Sequence, residues 1–199
     1  MILEIPEEHV AFQSVAAQFK KSWRQTFSNC PPVRHVYKVI VEQASLDKYN
    51  AYRDAVEARG DFVKAGRSAG NEHRRWHGTK RQSTRYVSLY PFKGMPTDDS
   101  NVSSGNFGPG IYTSSTSSKS DDYSVNSDPQ SPLSAMILNK VVVGKGFKTA
   151  QTNTSLRSPP AGFDSVLFEI GPDRTDDELI VYDNEAIRPS YLVVYDETF

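Results

Sequence analysis

The chain has 199 residues, enough for one domain, and a domain of that size buries roughly 70% of its unfolded surface without disulfide or metal support. Its 23 basic and 24 acidic residues leave a net charge of −1, so no overall field draws it to nucleic acid or to an anionic membrane. Cys30, the only cysteine, excludes an internal disulfide and a cysteine-rich zinc site, and no apolar run approaches the ~18 residues a membrane span requires. The opening MILEIPEEHVAF carries acids where a signal peptide needs a basic region, so the expectation is a soluble intracellular protein of cytoplasm or nucleus, and a monomer.

Phe12, Val15, Ala16, Phe19 and Trp23 recur at helical spacing opposite Gln13, Lys20, Lys21 and Arg24, which predicts an amphipathic helix from about Glu7 to Gln25. Asn29-Cys30-Pro31-Pro32 ends it, and Val33 to Val41 alternates as a strand with His35, Tyr37, Val39 and Val41 on one side and His35 at the rim. A second helix follows, capped by Ser45, buried through Leu46, Tyr49, Tyr52, Ala55 and Val56, and stopped at Gly60. Asp61 to Gly70 reads as a mobile connection and His73 to His77 as a strand; Pro91, Gly94, Pro96 and Asp98 to Ser100 mark an irregular passage. The run Ala135 to Gly144 is long enough to cross a sheet centre. Thr149 to Pro160 reads as polar loop, and Phe163–Glu169, Glu178–Tyr182 and Ser190–Tyr195 complete the strands. Early helices followed by clustered strands argue for an α+β fold with antiparallel sheets.

The stretch Gly105 to Tyr123, GNFGPGIYTSSTSSKSDDY, joins a glycine-rich turn to the brief strand Gly110-Ile111-Tyr112-Thr113 and then to a helical start capped by Thr116 or Ser117. Its two tyrosines, Tyr112 and Tyr123, suit a flat heteroaromatic guest, since offset stacking is worth roughly 0.5–1.5 kcal/mol per ring beyond burial. Ser120 shares a helical face with Tyr123 and offers a hydroxyl to a carboxamide. The glycines are not a dinucleotide-binding fingerprint, because the spacing is wrong and a strand, not a helix, follows.

Trp76-His77-Gly78-Thr79, then Gly110-Ile111-Tyr112 with Ser118-Lys119-Ser120 and Tyr123, then Glu178 opening an apolar strand, occur in the order that resembles the catalytic domain of the poly(ADP-ribose) polymerase family. The resemblance runs from about Asn71 to Phe199. It implies an α+β ADP-ribosyltransferase fold of two packed, mainly antiparallel sheets, as one domain over residues 1–199 with an N-terminal helix in 1–32 and the core in 33–199. It implies NAD as substrate and no metal. By the same resemblance His77 bonds the adenosine ribose, Gly78 and Ser120 clamp the carboxamide, and Thr79, Gly110 and Lys119 line the groove. Tyr112 and Tyr123 stack on the nicotinamide, and Tyr123→Phe, which keeps the stacking face, should be nearly silent for NAD binding. Glu178 supplies the carboxylate beside the reacting ribose, so that His77, Tyr112 and Glu178 form the catalytic set.

Ser115-Thr116-Ser117, with Asp176 two residues before Glu178, also echoes arginine-directed toxin-type transferases, but His77-Gly78 and Tyr112 favour the first family. The implied activity is mono- rather than poly-ADP-ribosylation. The alternatives are an NAD glycohydrolase and a non-catalytic NAD or ADP-ribose binding module; the acceptor, whether protein, nucleic acid or the chain itself, is left open.

Overall fold

A computed structural model describes residues 1–25, 29–78, 105–124, 132–170 and 176–197. Its first sheet has the order β1 (Ile2–Ile5), β2 (Val33–Val39), β9 (Ile187–Asp196), β5 (Leu133–Val142), β3 (Glu72–Gly78), antiparallel throughout. Its second has the order β4 (Ile111–Thr113), β8 (Asp176–Val181), β7 (Ser165–Ile170), β6 (Gly146–Thr149), in which only the β6–β7 pair is parallel. The α+β expectation with mainly antiparallel sheets therefore holds.

β5 lies between β9 and β3, and its apolar run exists because both of its faces are covered. Met136 and Leu138 pack under helix α1 (Val10–Ser22) with Phe12, Val15, Phe19 and Trp76. Ala135 and Ile137 face the other way, toward Val39 and Leu192. Farther along the Ala135 and Ile137 face of β5, Val141 meets Ile111, Leu179 and Val181 of the second sheet and Ile187 of β9, and β9 takes up one extra residue, Ser190, opposite Leu138 and Asn139. Phe19 is fully buried, with its ring 5.0–5.6 Å from those of Trp23, Trp76 and Tyr195. The aromatic stripe of α1 is thus core.

Several boundaries differ from expectation for local reasons. α1 starts at Val10 rather than near Glu7 because His9 caps it, its Nδ1 accepting the Ala11 amide at 3.0 Å. It ends at Ser22, where Trp23 turns extended. The preceding residues form β1, an edge strand not expected from the sequence. β2 ends at Val39 rather than Val41, but its alternation is as expected: Tyr37, Val39 and Val41 share one face and Val36 meets α1 on the other. A bulge between Val33 and His35 brings Val33 to the Val36 face, and His35 stays at the rim, 2.9 Å from Glu4. Helix α2 (Gln43–Gly60) begins two residues before Ser45, whose amide bonds the Glu42 carbonyl within the first turn. Its left-handed end falls on Asp61 (φ 49) rather than on Gly60, and Ala55 is exposed. β6 occupies residues that adjoin the expected polar loop and overlap it at Thr149. The irregular passage from Pro91 to Ser100 lies outside the described residues.

One bridge joins the sheets at the site: Trp76 and Ser114 exchange backbone bonds at 2.8 and 2.9 Å. That seam brings the end of β3, the start of β8 and helix α3 (Ser117–Asp121) together.

Candidate active site

Trp76, Gly78 and Ser120 set the position of α3 against β3. The Trp76 ring is buried and its Nε1 donates to Ser22 Oγ at 2.9 Å, which fixes the register of β3 under α1. Two residues on, a Cβ at Gly78 would overlap the carbonyl oxygen of Ser120, so only glycine lets α3 lie this close. Gly110 has the same need, since a Cβ there would overlap the Ile180 side chain on β8. Thr79, the remaining residue of the His-Gly-Thr stretch, lies outside the described residues.

His77 is 5% exposed, and its Nδ1 donates to the Tyr112 carbonyl at 2.7 Å. A carbonyl only accepts, so the neutral ring carries its proton on Nδ1 and presents Nε2 as an acceptor. Burial holds this imidazole below its ordinary pKa, against the opposing pull of the Tyr112 carbonyl. His73 is depressed too, by burial first and then by the charges of Arg75 and Arg67. Because the unfolded chain binds these protons more readily, stability is lost as pH falls below the unfolded value of about 6.5. The depressed carboxylates, Glu72, Asp177 and Asp196, lose their contribution only below about pH 4. We expect a lower melting temperature at pH 5.5 than at 7.5; equal values would show that both imidazoles are charged in the folded state.

Tyr112 lies on β4 opposite Ile180. Its hydroxyl accepts the Phe107 amide at 2.9 Å and donates to the Gly108 carbonyl at 2.8 Å, which ties down the glycine turn. Those bonds occupy the hydroxyl, so Tyr112 offers a ring face and not an acid or base.

Tyr123 follows α3 with its ring half exposed and its hydroxyl directed inward, donating to Glu178 Oε1 at 2.7 Å. Glu178 itself is 4% exposed, and its Oε2 has no hydrogen-bond partner among the described residues. Lys119 Nζ lies 4.0 Å from Glu178 Oε1, 4.9 Å from the centre of the Tyr123 ring and 3.4 Å from Asp122. Burial works against the ammonium, yet its neighbours Tyr123, Asp122 and Glu178 outweigh it and raise its pKa. His77, Tyr112, Gly78, Ser120, Lys119, Tyr123 and Glu178 thus converge, although the last comes from a strand more than fifty residues away from α3.

Three further residues, not foreseen, hold this arrangement. Arg75 is buried and its guanidinium donates to Asp177 Oδ2 at 2.7 Å. Asp177 Oδ1 in turn accepts the Ser115 amide at 2.7 Å and the Ser114 hydroxyl at 3.2 Å. Tyr195 donates to Asp121 on α3 at 2.6 Å. The serine run is a set of tethers of the same kind: Thr116 bonds Asp176 at 3.1 Å, and Ser117 bonds the Phe19 carbonyl at 2.8 Å. The Ser-Thr-Ser echo is therefore accounted for by packing. Among the described residues no group of His, Cys, Asp and Glu could hold a metal ion, and no helix is long and apolar enough to cross a membrane.

A family model, the poly(ADP-ribose) polymerase catalytic domain, matches residues 12–171. That span contains His77, Gly78, Tyr112, Ser120 and Tyr123 and stops short of Glu178. The chain is 30% identical over 183 residues to a mouse protein named protein mono-ADP-ribosyltransferase PARP3, covering 90% of this chain and 30% of that protein. It is also 30% identical over 168 residues to the human protein of that name, covering 82% of this chain and 28% of the relative. The chain spans about 30% of the length of these curated relatives.

Proposed function

The chain belongs to the poly(ADP-ribose) polymerase catalytic-domain family, and from that premise we propose that it is an NAD-dependent mono-ADP-ribosyltransferase. The observation that carries the reading is the pair of oxygens on Glu178. One is held by Tyr123, and the other is buried with no partner among the described residues, a costly state that a donor on a bound substrate would relieve.

NAD, when bound, supplies a nicotinamide leaving group whose departure places positive charge on the ribose. A fixed carboxylate at a site shielded from water stabilises that charge, and Glu178 is such a group. The half-exposed Tyr123 ring and the Tyr112 ring offer faces for the nicotinamide, and Gly78 beside Ser120 is the cradle for its carboxamide. His77, neutral with Nε2 as acceptor, would take a ribose hydroxyl. Lys119 would face the same groove. Transfer of a single unit is supported by the names of the mouse and human relatives. We place the protein inside the cell, where NAD is supplied, as a monomer that needs no metal.

The test is incubation of the purified chain with labelled NAD and candidate acceptors, with products read by mass spectrometry. Nicotinamide release with adducts of one ADP-ribose is the expected result. Free ADP-ribose alone would make the chain a glycohydrolase, and intact NAD would make it a binding module.

A further inference from the structure

Resting on the transferase reading, we propose that Tyr123 is a positioning residue for the reaction: its hydroxyl fixes the Glu178 carboxylate, so that one residue both stacks on the leaving group and aims the acid. The ring and the hydroxyl of Tyr123 divide these tasks. The ring sits at the cleft, half exposed, with the Lys119 ammonium 4.9 Å from its centre. The hydroxyl reaches a carboxylate that is 4% exposed, at 2.7 Å, the length of a charge-assisted O–H···O⁻ bond.

Among the described residues nothing else sits within hydrogen-bond reach of that carboxylate. Lys119, at 4.0 Å, acts on it as a charge and not as a donor. The backbone of Glu178 is held in β8 opposite Phe168 on β7. Without the phenol, no hydrogen bond from the described residues would fix its side-chain torsions. With it, Oε1 is occupied and Oε2 is left for the substrate. Burial, followed by the bond to Glu178 and its charge, raises the phenol pKa above its ordinary value, so the group remains a donor at neutral pH.

The alternative is that the bond only satisfies a buried acid and leaves its aim to the fold. A cycle of four proteins separates the two: parent, Tyr123→Phe, Glu178→Gln and the double variant. For each, benzamide affinity is measured by calorimetry, folding by melting temperature, and chemistry by single-turnover nicotinamide release at saturating NAD. Phenylalanine keeps the stacking face, so benzamide affinity should stay within about twofold of parent. Nicotinamide release should fall about 10- to 100-fold, the range of a hydrogen bond to a charged group. In the Glu178→Gln background the same substitution should cost less than about threefold, because its effect passes through the carboxylate. A parent-like rate for Tyr123→Phe, an equal loss in both backgrounds, or a rate that falls only in proportion to benzamide affinity would overturn the proposal while leaving the enzyme reading intact. A parent that releases no nicotinamide, or a Glu178→Gln variant as fast as parent, would overturn the catalytic assignment itself and this inference with it.

Discussion

Glu178→Gln is expected to slow nicotinamide release about 10²–10³-fold, the loss of about 2.7–4 kcal/mol of preorganised electrostatic stabilisation. Glutamine keeps the size and can still accept the Tyr123 hydroxyl, so packing at this 4% exposed position and ground-state binding of NAD should change little. What disappears is charge. Water is excluded there, so the field of the carboxylate on a developing cation is far less screened than it would be at the surface. Hydrolysis and transfer pass through the same cationic ribose and should fall together. The measurement is single-turnover release at saturating NAD, with melting temperatures compared for parent and variant. Equal rates would make Glu178 a buried acid within β8 with no part in the chemistry.

What was legible in the sequence was local. The stripe Phe12, Val15, Phe19 announced α1 because a helix puts those residues on one face, and the run in β5 announced a strand covered on both sides. His77-Gly78 and the stretch from Gly110 to Tyr123 announced the site because their residues are neighbours in sequence. What was hidden was polar and distant. Arg75 and Asp177 drew no notice in the sequence, since nothing in either segment records a partner 102 residues away. Thr116 and Ser117 read as helix caps, yet their buried hydroxyls bond groups 60 and 98 residues away. The role of the Tyr123 hydroxyl was invisible for the same reason, with 55 residues between donor and acceptor. β6 was missed because four residues that pair in parallel with a later strand carry little pattern of their own.

Asp177→Ala is expected to destabilise the fold by about 3–5 kcal/mol, because it leaves the buried Arg75 charge without its counterion. Against a total stability of about 5–15 kcal/mol, a loss of that size should lower the melting temperature by about 10 °C. The remaining contacts of Arg75 do not replace the carboxylate: NH2 reaches the Thr113 carbonyl at 3.4 Å, and Nε has no partner among the described residues. The Ser115 amide and Ser114 hydroxyl lose their acceptor in the same step, which frees the turn between β4 and α3. Successive strand residues face opposite ways, so Asp177 acts on that turn while Glu178 meets Tyr123. The two substitutions should therefore separate. Glu178→Gln lowers rate at constant melting temperature, and Asp177→Ala lowers melting temperature first, with the rate of the folded fraction falling as α3 loosens. Replacing both partners, as Arg75→Met with Asp177→Leu, should recover part of the lost stability, since a well-packed apolar pair carries no desolvation cost. Thermal unfolding of the parent and both variants decides the matter. If Asp177→Ala melts with the parent, Arg75 finds water or another acceptor in solution, and the pair is not what fixes the turn leading into α3.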